Sequence, residues 1–241
     1  MRIRVINPNS SLPMTRAIEA TAREICADGT VIEACCPPGS PLSIEGHSDG
    51  VLAAHHMLKL VEESGPADGF VVACFDDTGV DGLRERVSGP VLGIGEAAMH
   101  AATMLACRFS ILTTLKRSIP IIEDNASRYG LGARCKGVHA ANIPVLALEN
   151  ENDDHAFSVI REAAAAVLEK DGSDALVLGC GGMTHFARRL GDTLGIPVVD
   201  GVSTAVKFVE ALVGLGLKTG KTGGYAFPLS KTPPQTGKEH V

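Results

Sequence analysis

Short aliphatic runs alternate along the chain with longer segments whose apolar positions recur every three or four residues. The runs read as strands buried on both faces and the longer segments as helices packed over them, the pattern of a parallel α/β fold. Strands are predicted at 2–7, 30–35, 70–73, 90–94, 108–113, 137–140, 175–179 and 196–199. Helices are predicted at about 13–26, 49–63, 80–87, 96–107, 116–129, 153–169, 184–194 and 202–215. The prolines at 37, 38 and 41 interrupt the pattern with a loop. The segment from 225 to 228 is expected to pack as a strand or extended stretch, and the tail from 229 to 241 holds little core-forming material and is expected to fray.

The pattern occurs twice. RFSILT at 108–113 mirrors RIRVIN at 2–7, and SDALVLGCGG at 173–182 mirrors ADGFVVACFDDTG at 67–79. Asn7 and Thr113, Ala34 and Ala140, and Cys74 and Cys180 are each 106 residues apart, and Pro90 and Pro197 are 107 apart. A register held over four landmarks indicates duplication, with two doubly wound α/β units, each a parallel four-stranded sheet of about 100 residues. The first unit takes residues 1–95 and, through a final apolar helix that crosses back, about 202–228. The second takes 96–201. Ligands of open parallel sheets bind just beyond the carboxyl ends of the strands, so the active site is expected in the cleft between the units.

Composition narrows the chemistry. The apolar 45% is largely aliphatic, with no Trp and two Tyr, and the net charge of −6 comes without a basic cluster. That argues against a nucleic-acid partner. No apolar run approaches the roughly 18 residues of a membrane span and no signal-peptide pattern opens the chain, so the expected setting is cytoplasmic, away from membranes. Seven cysteines without a CxxC pair support neither a disulfide framework nor a zinc site. No GxGxxG or Walker pattern is present, and no cofactor or metal is expected.

Two cysteines at duplicate strand ends can face one ligand from opposite sides. A thiolate can remove a proton from an acidic carbon while the opposite thiol returns one, giving the mirror image without a cofactor. The turn amides after each cysteine, including the bare backbone of Gly181 and Gly182, are placed to lower the thiol pKa and to receive charge on an enolate oxygen. Asn7, Thr113 and Thr114, at duplicate positions after the first strand of each unit, are candidates to hold a polar substrate edge. Simpler roles stand beside these: a strand-end cysteine as core, Asp76 and Asp77 as turn or cap residues, Asn7 as a turn former, Thr184 as a cap. Cys26, Cys35, Cys36, Cys107 and Cys135 lack any such symmetry.

The motifs also resemble a family. VINPN at 5–9, SIEG at 43–46, ACFDD at 73–77, GPVLGI at 89–94, FSILTT at 109–114, LGCGGM at 178–183 and VDGV at 199–202, in that order, resemble the Asp/Glu/hydantoin racemase superfamily, in its hydantoin and allantoin racemase branch. The resemblance implies cofactor-independent racemisation of a cyclic ureide at C5, with Cys74 and Cys180 as the acid/base thiols. It implies a ring held by Asn7, Asp77 or Thr78, Thr114 and Gly181, and a substituent facing Ile44, Phe75 and Met183. It further implies a homo-oligomer, a tetramer or hexamer.

Phe75-Asp76-Asp77 and the run 118–124 look like hydantoin racemases, whereas 35–37, 45–47 and 180–183 look like allantoin enzymes. The expectation is a racemase of 5-monosubstituted hydantoins, with allantoin as the alternative. Gly95 departs from the cysteine that some hydantoin racemases carry there. Two further classes are a cysteine-nucleophile isomerase of the same superfamily and a non-catalytic ligand-binding protein. The lack of arginines beside either cysteine argues against the dicarboxylate chemistry of the former.

Overall fold

The computed structural model describes residues 1–148 and 154–229. Strands β1 (Arg2–Ile6), β2 (Val31–Cys35), β3 (Gly69–Val72) and β4 (Val91–Gly93) form a parallel sheet in the order β2-β1-β3-β4. Strands β5 (Phe109–Thr113), β6 (Cys135–Ala140), β7 (Ala175–Leu178) and β8 (Val198–Val199) form a second in the order β6-β5-β7-β8. The helices are α1 (Leu12–Ile25), α2 (His47–Glu62), α3 (Val80–Arg86), α4 (Ile94–Leu105), α5 (Ile119–Arg128), α6 (Asp154–Asp171), α7 (Ala187–Leu194) and α8 (Gly201–Gly214). None of the described helices is long and apolar enough to cross a membrane.

The duplication is visible bond by bond. Asp68 accepts the Arg2 amide through its carboxylate at 2.7 Å and returns its own amide to Arg2 O at 2.8 Å. Asp174 and Arg108 repeat the exchange at 3.3 and 3.0 Å. The acidic lead-in to each cysteine-bearing strand therefore fixes where that strand meets its central neighbour. At the other end, Ala73 donates to Ile6 O at 2.7 Å and Gly179 to Leu112 O at 2.8 Å, so the pairing holds up to the residue before each cysteine.

One landmark is corrected. Ala34 lies opposite Val5 and Val138 lies opposite Ile111, so the counterpart of Ala34 is Val138 and not Ala140. The β5–β6 pairing shifts between Phe109 and Ile111, and such an irregularity resets the count along the strand. The helix expected at 184–194 is also different: a 3-10 turn occupies Gly181–Phe186 before α7 begins. The Thr184 hydroxyl donates to Asp200, whose carboxylate also caps α8 by accepting the Ser203 amide at 2.8 Å. Residue 153, expected to start the sixth helix, and residues 230–241 of the tail lie outside the described residues. The 225–228 segment forms no strand, although the Tyr225 hydroxyl donates to Asp81 at 2.9 Å.

A single apolar core joins the halves. Ile3, Val5 and Val71 of the first sheet and Phe109, Ile111 and Val177 of the second belong to it, with Ala97, Ala98 and Ala102 of α4 and Ala205 of α8 between them. Helix α8 packs on α4, α1, β3 and β4. Its close approach to α4 needs Gly201, where a Cβ would stand 2.4 Å from Ile94 O.

Candidate active site

The turns beyond β3 and β7 are built alike. Cys74 O accepts the Asp77 amide and Cys180 O the Met183 amide, each at 3.0 Å. The turns also meet, since a Cβ on Gly181 would stand 3.1 Å from Ala73 O. Cys74 and Cys180 line one cleft. Its polar lining comes from Asn7, Asn9, Asp76, Thr113, Thr114 and Ser118, and its apolar lining from Met14, Ile44, Phe75 and Val145.

Burial controls the thiols. The Cys180 thiol is pushed up to about 11, chiefly by loss of water; the Asp76 charge adds to the rise and the Gly182 and Met183 amides oppose it. The Gly182 amide reaches the Cys180 sulfur at 3.4 Å. Cys74 is pushed up further, first by burial and then by Asp76, while the Thr78 hydroxyl, 3.6 Å from the sulfur, pulls the other way. The turn amides thus act in the expected direction, and burial outweighs them. Asp76 itself is raised to about 6 by burial, with His47 drawing it down. Both thiols are protonated at neutral pH, and whichever ionises is a stronger base than a free cysteine. One thiolate facing one thiol across the cleft can move a proton off one face of a carbon and onto the other.

Asn7 shows what such a ligand must offer. Its Nδ2 is held by Asn9 Oδ1 at 2.7 Å and Thr15 Oγ1 at 3.0 Å. Its buried Oδ1 has no partner among the described residues. An unsatisfied buried acceptor in a cleft wall calls for a donor. Thr113 lines the same wall, but its hydroxyl donates to Gly179 O at 2.9 Å, which ties the approach to Cys180.

Four expected site residues sit outside the cleft lining. Asp77 accepts the Gly95 and Glu96 amides at 2.9 and 2.7 Å and the Tyr129 hydroxyl at 2.7 Å, so it caps α4 and has no oxygen to spare for a ligand. Thr78 lies behind Cys74, beside its sulfur. Gly182 is bare for packing, because a Cβ there would meet the Leu148 side chain at 3.1 Å. Met183 is fully buried in the second half's own apolar cluster; Met14 and Val145 join Ile44 and Phe75 on the apolar wall instead.

A family model described as Asp/Glu/hydantoin racemase matches residues 3–209. The chain belongs to the Asp/Glu/hydantoin racemase family. It is similar to a hydantoin racemase of Rhizobium meliloti, 42% identical over 96% of each chain. It is similar also to the solved allantoin racemase from Klebsiella pneumoniae, 50% identical with a TM-score of 0.92 over 96% of this chain and 95% of that one. A third, the allantoin racemase from Pseudomonas fluorescens, is 37% identical with a TM-score of 0.93 over 97% and 99% of the two chains.

Within this racemase fold, the lining takes in Asn9, Met14, Ala73, Ser118, Val145 and Gly179, which sequence reasoning passed over, and Asp76, which it reads as a turn or cap residue. Adjacency to a predicted residue is the available signal for Ala73, Asp76 and Gly179, and Asn9 lies two residues beyond Asn7. Nothing in spacing marks Met14 or Val145, which reach the cleft from a helix face and from a 3-10 turn at Val145–Leu148.

Proposed function

We propose that the protein racemises a cyclic ureide at its C5 carbon by a 1,1-proton transfer between Cys74 and Cys180. The observation that supports this most is that both cysteines line one cleft from turns of the same construction. A thiolate on one face takes the C5 proton, and the electron pair moves into the adjacent carbonyl to give an enolate. The opposite thiol then protonates C5 on the other face, so the sulfurs exchange roles and no net proton is gained or lost. The step needs no metal or organic cofactor. Asn7 Oδ1 takes a ring N–H, and the bare backbone at Gly181 lies beside the enolate oxygen.

Allantoin leads as the substrate, the reverse of the order expected from the motifs. Its ureido arm needs hydrogen-bond partners, which Asn9, Thr114 and Ser118 of the lining supply, and 50% identity to the Klebsiella allantoin racemase supports it. A second reading, 5-monosubstituted hydantoins, is favoured by the wall of Met14, Ile44, Phe75 and Val145. The test is deuterium incorporation at C5, followed by proton NMR with circular dichroism, for allantoin and 5-alkyl hydantoins. Faster exchange than in enzyme-free buffer is expected, and it should nearly vanish as racemisation in Cys74→Ser and Cys180→Ser. Absence of exchange with every ring rejects the reading; full turnover in either variant rejects the opposed thiols.

A further inference from the structure

Asp76 carries an inference that rests on the cyclic-ureide reading and goes beyond it. Its neighbour Asp77 is wholly engaged with α4 and Tyr129, and the Asp76 backbone is clamped by Asn125 of α5, whose Nδ2 donates to Asp76 O at 2.9 Å. The Asp76 carboxylate, by contrast, has no hydrogen-bond or ion-pair partner among the described residues, and the residue lines the cleft with both cysteines and Asn7. It is a partly buried acceptor on a backbone held in place, with no donor among the described residues. Asn7 Oδ1 is a second.

A cyclic ureide of this class carries two ring N–H donors. Two idle oxygens that can only accept, on the wall of a cleft lined by two cysteines, suit them in kind. An ionised carboxylate also sorts protonation states. A neutral ring gains a charge-assisted hydrogen bond, whereas a ring that has lost its imide proton meets a like charge in a poorly solvated site. Only the neutral ring has a readily removed C5 proton, because the deprotonated ring would have to become a dianion.

We propose that Asp76 contacts the substrate, its carboxylate accepting one ring N–H of the neutral cyclic ureide and excluding the same ring once it has ionised. The groups that face this carboxylate are Cys74, Cys180 and His47. With an ordinary value of 3.8 raised to about 6, Asp76 remains charged at the pH of racemisation assays near neutrality.

The experiment uses hydantoin, 1-methylhydantoin and 3-methylhydantoin as probes, with binding read by calorimetry between pH 7 and 9.5 and C5 exchange read by NMR. For the wild type, affinity for hydantoin should fall as the ring ionises, and one of the two methylated rings should bind at least 10-fold more weakly. Asp76→Ala should weaken hydantoin at least 10-fold with little further loss for that methylated ring. Asp76→Asn, which keeps the shape and removes the charge, should flatten the alkaline loss. Unchanged hydantoin affinity in Asp76→Ala, or an equal loss for all three rings, overturns the proposal. Equal binding of the three rings by the wild type overturns it without any variant. If the wild type exchanges neither hydantoin nor allantoin, the cyclic-ureide reading fails and this inference falls with it.

Discussion

The Tyr129 hydroxyl donates to the Asp77 carboxylate at 2.7 Å, joining the end of α5 in the second half to the turn that carries Cys74 in the first. Asp77 sits at φ 51°, in the left-handed region that only a few non-glycine residues adopt readily. Its carboxylate spans the Gly95 and Glu96 amides at the start of α4. The position of the Cys74 turn is thus set by a carboxylate that never reaches the cleft.

Tyr129→Phe removes one donor from a buried carboxylate and leaves the ring packed. A loss of about 1–2 kcal/mol is expected, measured as a fall in urea midpoint with an unchanged m-value. A variant as stable as the wild type would show that the bond contributes nothing.

The pH dependence of stability should carry the mark of Asp77. Burial raises it from 3.8 to about 7 against the pull of its three donors, so the folded chain holds this proton more tightly than the unfolded chain does. Its contribution to stability is therefore full below pH about 4 and is lost as pH rises towards 7. Asn tolerates the same backbone conformation and does not titrate. The stability of the wild type minus that of Asp77→Asn should decline between pH 4 and 7 and level off above, as followed by urea unfolding at several pH values.

Gly95 has no room for a side chain, because a Cβ would stand 2.3 Å from Phe75 O and 2.8 Å from Asp77 Oδ2. Gly95→Ala should cost about 1–3 kcal/mol by overpacking and displace the Cys74 turn, with kcat falling more than the melting temperature predicts. Thermal melts alongside C5 exchange rates test this.

Thiol reactivity should follow burial. Cys107 is exposed, whereas the Cys180 thiol stands at about 11 and Cys74 higher still. Iodoacetamide at pH 7.5 should label Cys107 first and leave C5 exchange nearly intact. Labelling of Cys180, and then of Cys74, should appear only as pH climbs, since the thiolate is the reactive form. Peptide mass mapping reads the order.

The duplicated strands and the two cysteines were legible because β-strands repeat their polarity with fixed spacing, and the Asp68 and Asp174 lead-ins recur with them. The turns were not. Which of two adjacent aspartates faces the cleft depends on the positive φ of Asp77, and no spacing rule reports that reversal. Gly182 and Met183 read as substrate contacts because of their proximity to Cys180 in sequence, which hides the fact that a 3-10 turn drives them inward against the apolar cluster that holds Leu148. The lowering of the thiols by nearby amides was chemically sound, yet its sign could be overturned only by burial, which depends on how far the two turns close over each other.

The shared core has a consequence for evolution within this fold. Ala97, Ala98 and Ala102 of α4 and Ala205 of α8 belong to the core shared by the two sheets, where α4 packs directly on α8, so their small volumes let the two helices approach closely. A methyl or two added there would shift the elements that carry the cleft without touching any residue in its wall.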